Sequence, residues 1–185
     1  MPIALLLKNG MQQRSGFPAR KAPFTRILVA LDGSALAEQV LAYVEPLAQQ
    51  LHARLIVFRA RLPPEAIPVE RAMPVAHPAD DFTALRRAVQ AETAAYLEEV
   101  AERLRDHGLT VEVEHAEGTR AEMIVAQARH LGADLTALTS HGRGGLGRLV
   151  FGSVADEVLQ HAPCPVLLVR VSGPSHRQLR EPGST

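Results

Sequence analysis

Three groups of residues have types and spacing suited to chemistry. The richest is Leu135–Val154. It opens as a short apolar run, Leu135–Leu138, and becomes a loop holding Gly142, Gly144, Gly145 and Gly147 with Arg143 and Arg148. It closes at Gly152-Ser153, where a helical pattern begins. Glycine lets backbone N–H groups approach a ligand and adopt positive φ. A helix start exposes unpaired N–H groups and the positive end of a dipole, which suits phosphate. Strand, glycine loop and helix start, in that order, have the form of a mononucleotide cradle, or else of a plain connection between two elements. The second group is Asp32-Gly33-Ser34, at the end of another apolar run. Asp32 reads either as a ligand contact or as an Asx turn and helix cap. The third is Ser153, which as an N-cap can bind an anion as well.

Other reactive side chains form no such pattern. The eight histidines include no H-x-H or H-x-x-x-H pair, so no metal site is expected. Cys164 is the single cysteine, which excludes an intramolecular disulfide. Its setting, Pro163-Cys164-Pro165 before an apolar run, reads as a structural thiol. His141 reads as an exposed loop histidine and Asp134 as a turn residue. Glu92, Glu98, Glu99 and Glu102 read as a solvated helix face. There is no Ser/His/Asp or Cys/His arrangement, and catalysis is not expected.

The elements that position these residues follow from periodicity. Thr25–Leu31 and Arg54–Phe58 are apolar runs fit for strands buried on both faces. Ala35 to about Gln50 reads as a helix with Leu36, Val40, Tyr43 or Val44, and Leu47 on one face, and Pro46 kinks it or ends its first part. Residues 61–80 hold five prolines and read as a long loop, either a lid, a partner surface or disordered. A long helix is expected from about Asp81 to His107, with Leu85, Val89, Tyr96, Val100 and Leu104 as its stripe and Gly108 as its stop. Thr110–His115 alternates, as an edge strand with one wetter face does. A further helix runs to about Leu131, burying Met123, Ile124, Ala128 and Leu131. Val154–His161 is the last helix and Pro165–Val171 the fifth strand.

The alternation predicts a parallel sheet with right-handed crossovers, flavodoxin-like or Rossmann-like. Ligands on such sheets bind beyond the carboxyl ends of the strands, at the switch point. With the first strand central and the fourth beside it, Asp32 faces the glycine loop. Residues 1–22 read as a poorly ordered extension with a short apolar anchor at Ile3–Leu7, residues 23–172 as the domain, and residues 173–185 as a frayed tail.

Composition narrows the function. A chain of 185 residues with 46% hydrophobic and 22% charged residues is an ordinary globular domain. Zero formal net charge argues against nucleic-acid and membrane-surface partners, and aromatics at 4% argue against base-stacking platforms. No apolar run reaches transmembrane length, Lys8-Asn9-Gly10 cuts short the first one, and a cytoplasmic location is expected.

Three stretches together resemble the universal stress protein family. They are Ile27–Ser34, Gly132-Ala133-Asp134, and Ser140–Ala155 followed by Cys164–Val169. The resemblance spans about Phe24 to Val171. The family's ATP-binding branch carries Gly-x-x-Gly, nine residues, then Gly-Ser or Gly-Thr. Gly142 and Gly152-Ser153 match this pattern, whereas its first glycine is replaced by Thr139, which offers a hydroxyl. The resemblance implies a three-layer α/β/α sandwich of the adenine nucleotide alpha hydrolase-like, Rossmann-like type, with a five-stranded parallel sheet in the order 3-2-1-4-5. It implies ATP, alone or with Mg2+, bound at Ala30, Asp32, Ala60, Leu138, Thr139, His141, Gly142, Arg143, Gly152, Ser153, Val154 and Ala155. Asp32 would meet the adenine or ribose, and the backbone at Phe58–Ala60 would line the adenine pocket. Gly142 and nearby amides would hold phosphates, and Gly152–Val154 the phosphate–ribose end. Arg143 and Arg148 read equally as surface charges. A stress-response role by binding rather than turnover is implied, and a homodimer paired through the edge strand Pro165–Val171. Two other readings are a nucleotide-independent adaptor or chaperone-like module and an ATP-pyrophosphatase-type enzyme. The latter lacks its Ser-Gly-Gly-x-Asp-Ser run after the first strand.

Overall fold

The computed structural model describes residues 3–6, 24–63, 80–141 and 152–171. In chain order the elements are β1 (Ile3–Leu6), β2 (Arg26–Ala30), α1 (Ala35–Glu38), α2 (Leu41–Leu51), β3 (Arg54–Arg61) and α3 (Asp80–Asp106). They continue with β4 (Val111–Glu117), α4 (Arg120–His130), β5 (Leu135–His141), α5 (Ser153–His161) and β6 (Val166–Val171). The sheet runs β1-β6-β5-β2-β3-β4. Strands β2 to β6 are parallel and take the expected order 3-2-1-4-5 when counted among themselves. The expected sheet of five is therefore present, and a sixth strand extends it. β1 pairs antiparallel with β6, Ile3 opposite Val169 and Leu6 opposite Val166.

Burial explains the sequence pattern. β2 and β3 lie inside the sheet, and Ile27–Val29 and Leu55–Phe58 are fully buried on both faces. β4 is an edge strand, as its alternation requires, and only Val111 in it is buried. One core layer joins Ile27, Val29, Leu55 and Val57 to α1, α2 and α3 through Ala37, Val44 and Leu97. The other joins Leu28, Ile56 and Phe58 to α4 and α5 through Ile124, Val125 and Val158. This gives the three-layer sandwich.

Several local expectations change. The first helix is two helices, broken at Gln39-Val40 rather than at Pro46. Gln39 N–H donates to Leu36 O and Val40 N–H to Ala37 O, a tightened turn that lets Val40 drop into the core. Pro46 lies within α2, at an exposed position. The stripe of α3 keeps Val100 and Leu104 of the expected set, with Tyr96 half-buried against the core, and adds Thr93, Leu97 and Ala101 as buried residues. In the extension, Ile3–Leu6 forms β1 and so covers the β6 edge that was expected to be open. The rest of the extension, the proline-rich loop from residue 64 to 79, the glycine loop from residue 142 to 151 and the tail lie outside the described residues.

Asp134 acts at the end of the sheet away from the strand carboxyl ends. Its carboxylate accepts from Thr25 N–H (2.8 Å), Thr25 Oγ1–H (2.9 Å) and Arg26 N–H (3.1 Å). It thus ties the start of β2 to the start of β5 as more than a turn residue. Cys164 is half-buried, its Sγ 3.3 Å from Thr136 Oγ1, which fits a structural thiol.

Candidate functional site

The chain reverses direction across the sheet between β2 and β5. From β2 it winds outward through β3 and β4, and then crosses back to β5 on the other side of β2. The carboxyl ends of β2 and β5 consequently diverge from their connecting helices and leave a cleft. A cavity of about 160 Å³ occupies it, lined by Ala30, Leu31, Asp32, Ala37, Ala60, Arg120, Ile124, Leu138, Thr139 and Val154. Three of these are alanines, and their short side chains keep the space open. A wider depression of about 520 Å³ between α3 and β4, bordered by Ala94, Glu98 and His115, lies away from the strand ends.

Six of the twelve residues expected at the site line this cleft: Ala30, Asp32, Ala60, Leu138, Thr139 and Val154. Ala155 is buried against the α4–α5 core layer, one position beyond Val154. Gly152 and Ser153 begin α5, but their roles are exchanged. Gly152, which has no side chain to cap with, is the N-cap, and Ser153 is the first helical residue. Gly152 has φ +89, with no atom of the described residues within 4 Å of where a Cβ would sit. Backbone conformation requires glycine at this position. His141 is the last residue of β5 rather than part of a loop. Gly142 and Arg143 lie outside the described residues.

Asp32 adopts the Asx geometry that was one of its two readings. Its Oδ1 accepts Ser34 N–H at 2.9 Å, and Ser34 Oγ in turn caps α1 by accepting Ala37 N–H at 3.1 Å. This fixes the carboxylate at the cleft margin. The turn is buttressed from behind. Gly33 has φ +90, and a Cβ on it would lie 2.9 Å from Arg59 Cζ. The Arg59 guanidinium sits 5.4 Å from the centroid of the Tyr96 ring, a cation–π contact. Tyr96 O–H donates to Glu38 Oε1 at 3.1 Å, and Arg103 Nη2 donates to Glu38 Oε2 at 2.6 Å. Burial, then the charge and hydrogen bond of Glu38, hold the Tyr96 phenol well above its ordinary pKa, so it stays a donor. The Glu38 hydrogen bond likewise raises the Arg103 pKa.

Arg120 was missed from the sequence. It is the first residue of α4, and the N-cap Thr119 makes no side-chain capping bond. A cation at the positive end of a helix is unfavourable unless something else uses it. That misplacement was the readable signal. Arg120 and the N-termini of α4 and α5 together make this side of the cleft electropositive, while Asp32 makes the other acidic.

Thr139 lies within β5, opposite Val169 of β6, and is half-buried. His52 is the single non-glycine residue with positive φ among the described residues, so the backbone at Thr139 needs no glycine. A β-branched residue is at home in such a strand. Thr139 therefore places a side chain at the cleft wall without backbone strain.

The universal stress protein family model matches residues 23–170. The chain belongs to this family. Universal stress protein YxiE of Bacillus subtilis is 31% identical over 149 residues, covering 80% of this chain and 99% of its own. A universal stress protein of Thermus aquaticus is 35% identical over 153 residues, with 80% and 99% coverage. Among solved structures, hypothetical protein MJ0577 superposes with a TM-score of 0.65 at 26% identity, over 80% of this chain and 97% of that one. A universal stress protein in complex with cAMP has a TM-score of 0.58 at 21% identity, covering 80% and 98%. The family member At3g01520 of Arabidopsis thaliana, with AMP bound, has a TM-score of 0.55 at 15% identity, covering 79% and 91%. This universal stress protein thus shares the α/β fold of proteins crystallised with adenine nucleotides. Among its described residues no helix is long and apolar enough to cross a membrane.

Proposed function

We propose that this universal stress protein binds ATP, alone or with Mg2+, in the cleft between β2 and β5, and acts in the stress response by binding rather than turnover. The observation that carries this reading is the alanine-lined cavity at the switch point, bordered by Arg120 and two helix N-termini on one side and Asp32 on the other. The residues present fit the ligand. Ala30, Ala60 and Leu138 offer an apolar wall to a purine, and Asp32 accepts ribose or amino-group hydrogen bonds. The first-turn N–H groups of α5, Arg120 and Thr139 meet phosphate charge, and the resemblance adds Gly142, which lies outside the described residues. The cAMP and AMP complexes of two structural neighbours support an adenine nucleotide. Binding without turnover is favoured because the lining carboxylate, Asp32, already accepts the Ser34 N–H and serves the turn. The protein acts in the cytoplasm, without nucleic-acid or membrane partners, and two copies associate through β6 when its outer side is free of β1.

Thermal unfolding with and without ATP and Mg2+ tests this. A ligand at a hundred times its dissociation constant adds about 2.7 kcal/mol to the stability of the folded state. A rise in melting temperature with ATP is expected, together with adenine absorbance in the supernatant of boiled protein. No shift at millimolar ATP would favour the nucleotide-independent adaptor, with Thr139 closing the site. Steady phosphate release abolished by one cleft substitution would favour an enzyme.

Arg120→Ala is expected to weaken ATP about threefold to tenfold, and AMP less, because an exposed guanidinium adds charge to a site already held by backbone amides. The difference should shrink with added salt. Equal loss for ATP and AMP in calorimetric titrations would remove Arg120 from the phosphate end.

A further inference from the structure

We infer that Ile3–Leu6 is a built-in cap on the dimer edge, so that two copies pair through β6 only after β1 leaves it. The inference rests on the reading that copies associate through β6.

The two pairings need the same backbone groups. The inner edge of β6 is fully engaged with β5, from Thr136 opposite Val166 to His141 opposite Val171. Its outer edge is engaged by β1 along Val166–Val169, four of its six residues. A two-fold contact between copies would be antiparallel, and β1 is also antiparallel to β6. Both would use the outward N–H and C=O groups of Val166–Val169. They are mutually exclusive.

Without β1, β6 would be an unguarded edge. Val166, Leu167, Leu168, Val169 and Val171 are all apolar and buried within the sandwich, and a straight apolar edge of this length invites another strand. With β1 in place the sheet ends in a strand of only four residues. A very short edge strand is one of the usual devices that blunt an edge.

The cap is an addition to the family domain. The family match starts at residue 23, and YxiE aligns over 99% of its length to 80% of this chain. β1 thus lies outside the shared region. It belongs to the same chain as β6, so their pairing is intramolecular. Tethering gives β1 an effective concentration on the order of millimolar. A second copy at micromolar concentration therefore competes at a disadvantage of about a thousandfold. A strand of four residues contributes few hydrogen bonds, so high protein concentration or loss of the segment can tip the balance.

The test compares the full-length chain with its Ala4→Pro/Leu5→Pro variant by sedimentation velocity at micromolar concentrations. Proline at these positions removes β1 donors and leaves the helix-covered core untouched. The unaltered protein should sediment as a monomer. The variant should dimerise with a dissociation constant at least about tenfold lower, and hydrogen exchange at Val166–Val169 should slow as its concentration rises. A dimer equally tight in both proteins would overturn the cap. Two monomers would overturn edge pairing itself and the cap with it, and the ATP melting shift, measured on the same samples, would stand or fall separately. Matching circular dichroism of the two proteins guards against a misfolded variant.

Discussion

Ala60→Leu is expected to abolish most ATP binding while leaving the protein folded. Ala60 is buried near the end of β3, with 9% exposure, and lines the cleft together with Ala30 and Ala37. A leucine side chain at this point enters a cavity of only about 160 Å³. A purine must then displace it or be displaced, and overpacking of this kind costs about 1–3 kcal/mol, roughly a tenfold to hundredfold loss in affinity. In the free protein the same side chain fills empty space, so the melting temperature without ligand should change little. Isothermal titration with ATP reads the result. Unchanged affinity would place the nucleotide outside the cleft.

Phe58→Ala should destabilise the protein by about 3–5 kcal/mol, the range for deleting a buried aromatic ring. Phe58 is fully buried, among the largest such side chains among the described residues, and packs in the layer under α4 and α5. Its backbone lies between Ala30 of β2 and Glu114 of β4, and its carbonyl accepts Leu31 N–H at 2.8 Å. The ring supports the strands that open into the cleft. Urea denaturation should show a lower midpoint at an unchanged slope. A loss below 1 kcal/mol would mean that the neighbouring layer collapses into the gap, against the packing described.

The elements that were readable are those whose burial is written in their own residues. Ile27–Leu31 and Leu55–Phe58 are continuous apolar runs because both faces are covered. Thr110–His115 alternates because β4 is an edge. The switch-point cleft followed from the order of elements, and half of its expected residues line it. What escaped depends on contacts distant in sequence. Nothing within Ile3–Leu6 specifies a partner; β6 supplies it. The break at Gln39-Val40 has no glycine or proline to mark it, and Pro46 drew attention to the wrong turn. Gly152 rather than Ser153 caps α5 because the chain arrives with positive φ, which a composition-based cap preference misses. Arg120 was legible in principle, as a cation placed against a helix dipole.

The antiparallel seating of β1 has a geometric consequence for the ends of the described chain. Because Ile3 lies opposite Val169, the first strand begins beside the finish of the last one. Ile3 and Val171, the limits of the described chain on these two strands, both lie on the side of the sheet where the strands open. A short peptide bridging Ile3 and Val171 would close the described domain into a ring without altering its topology.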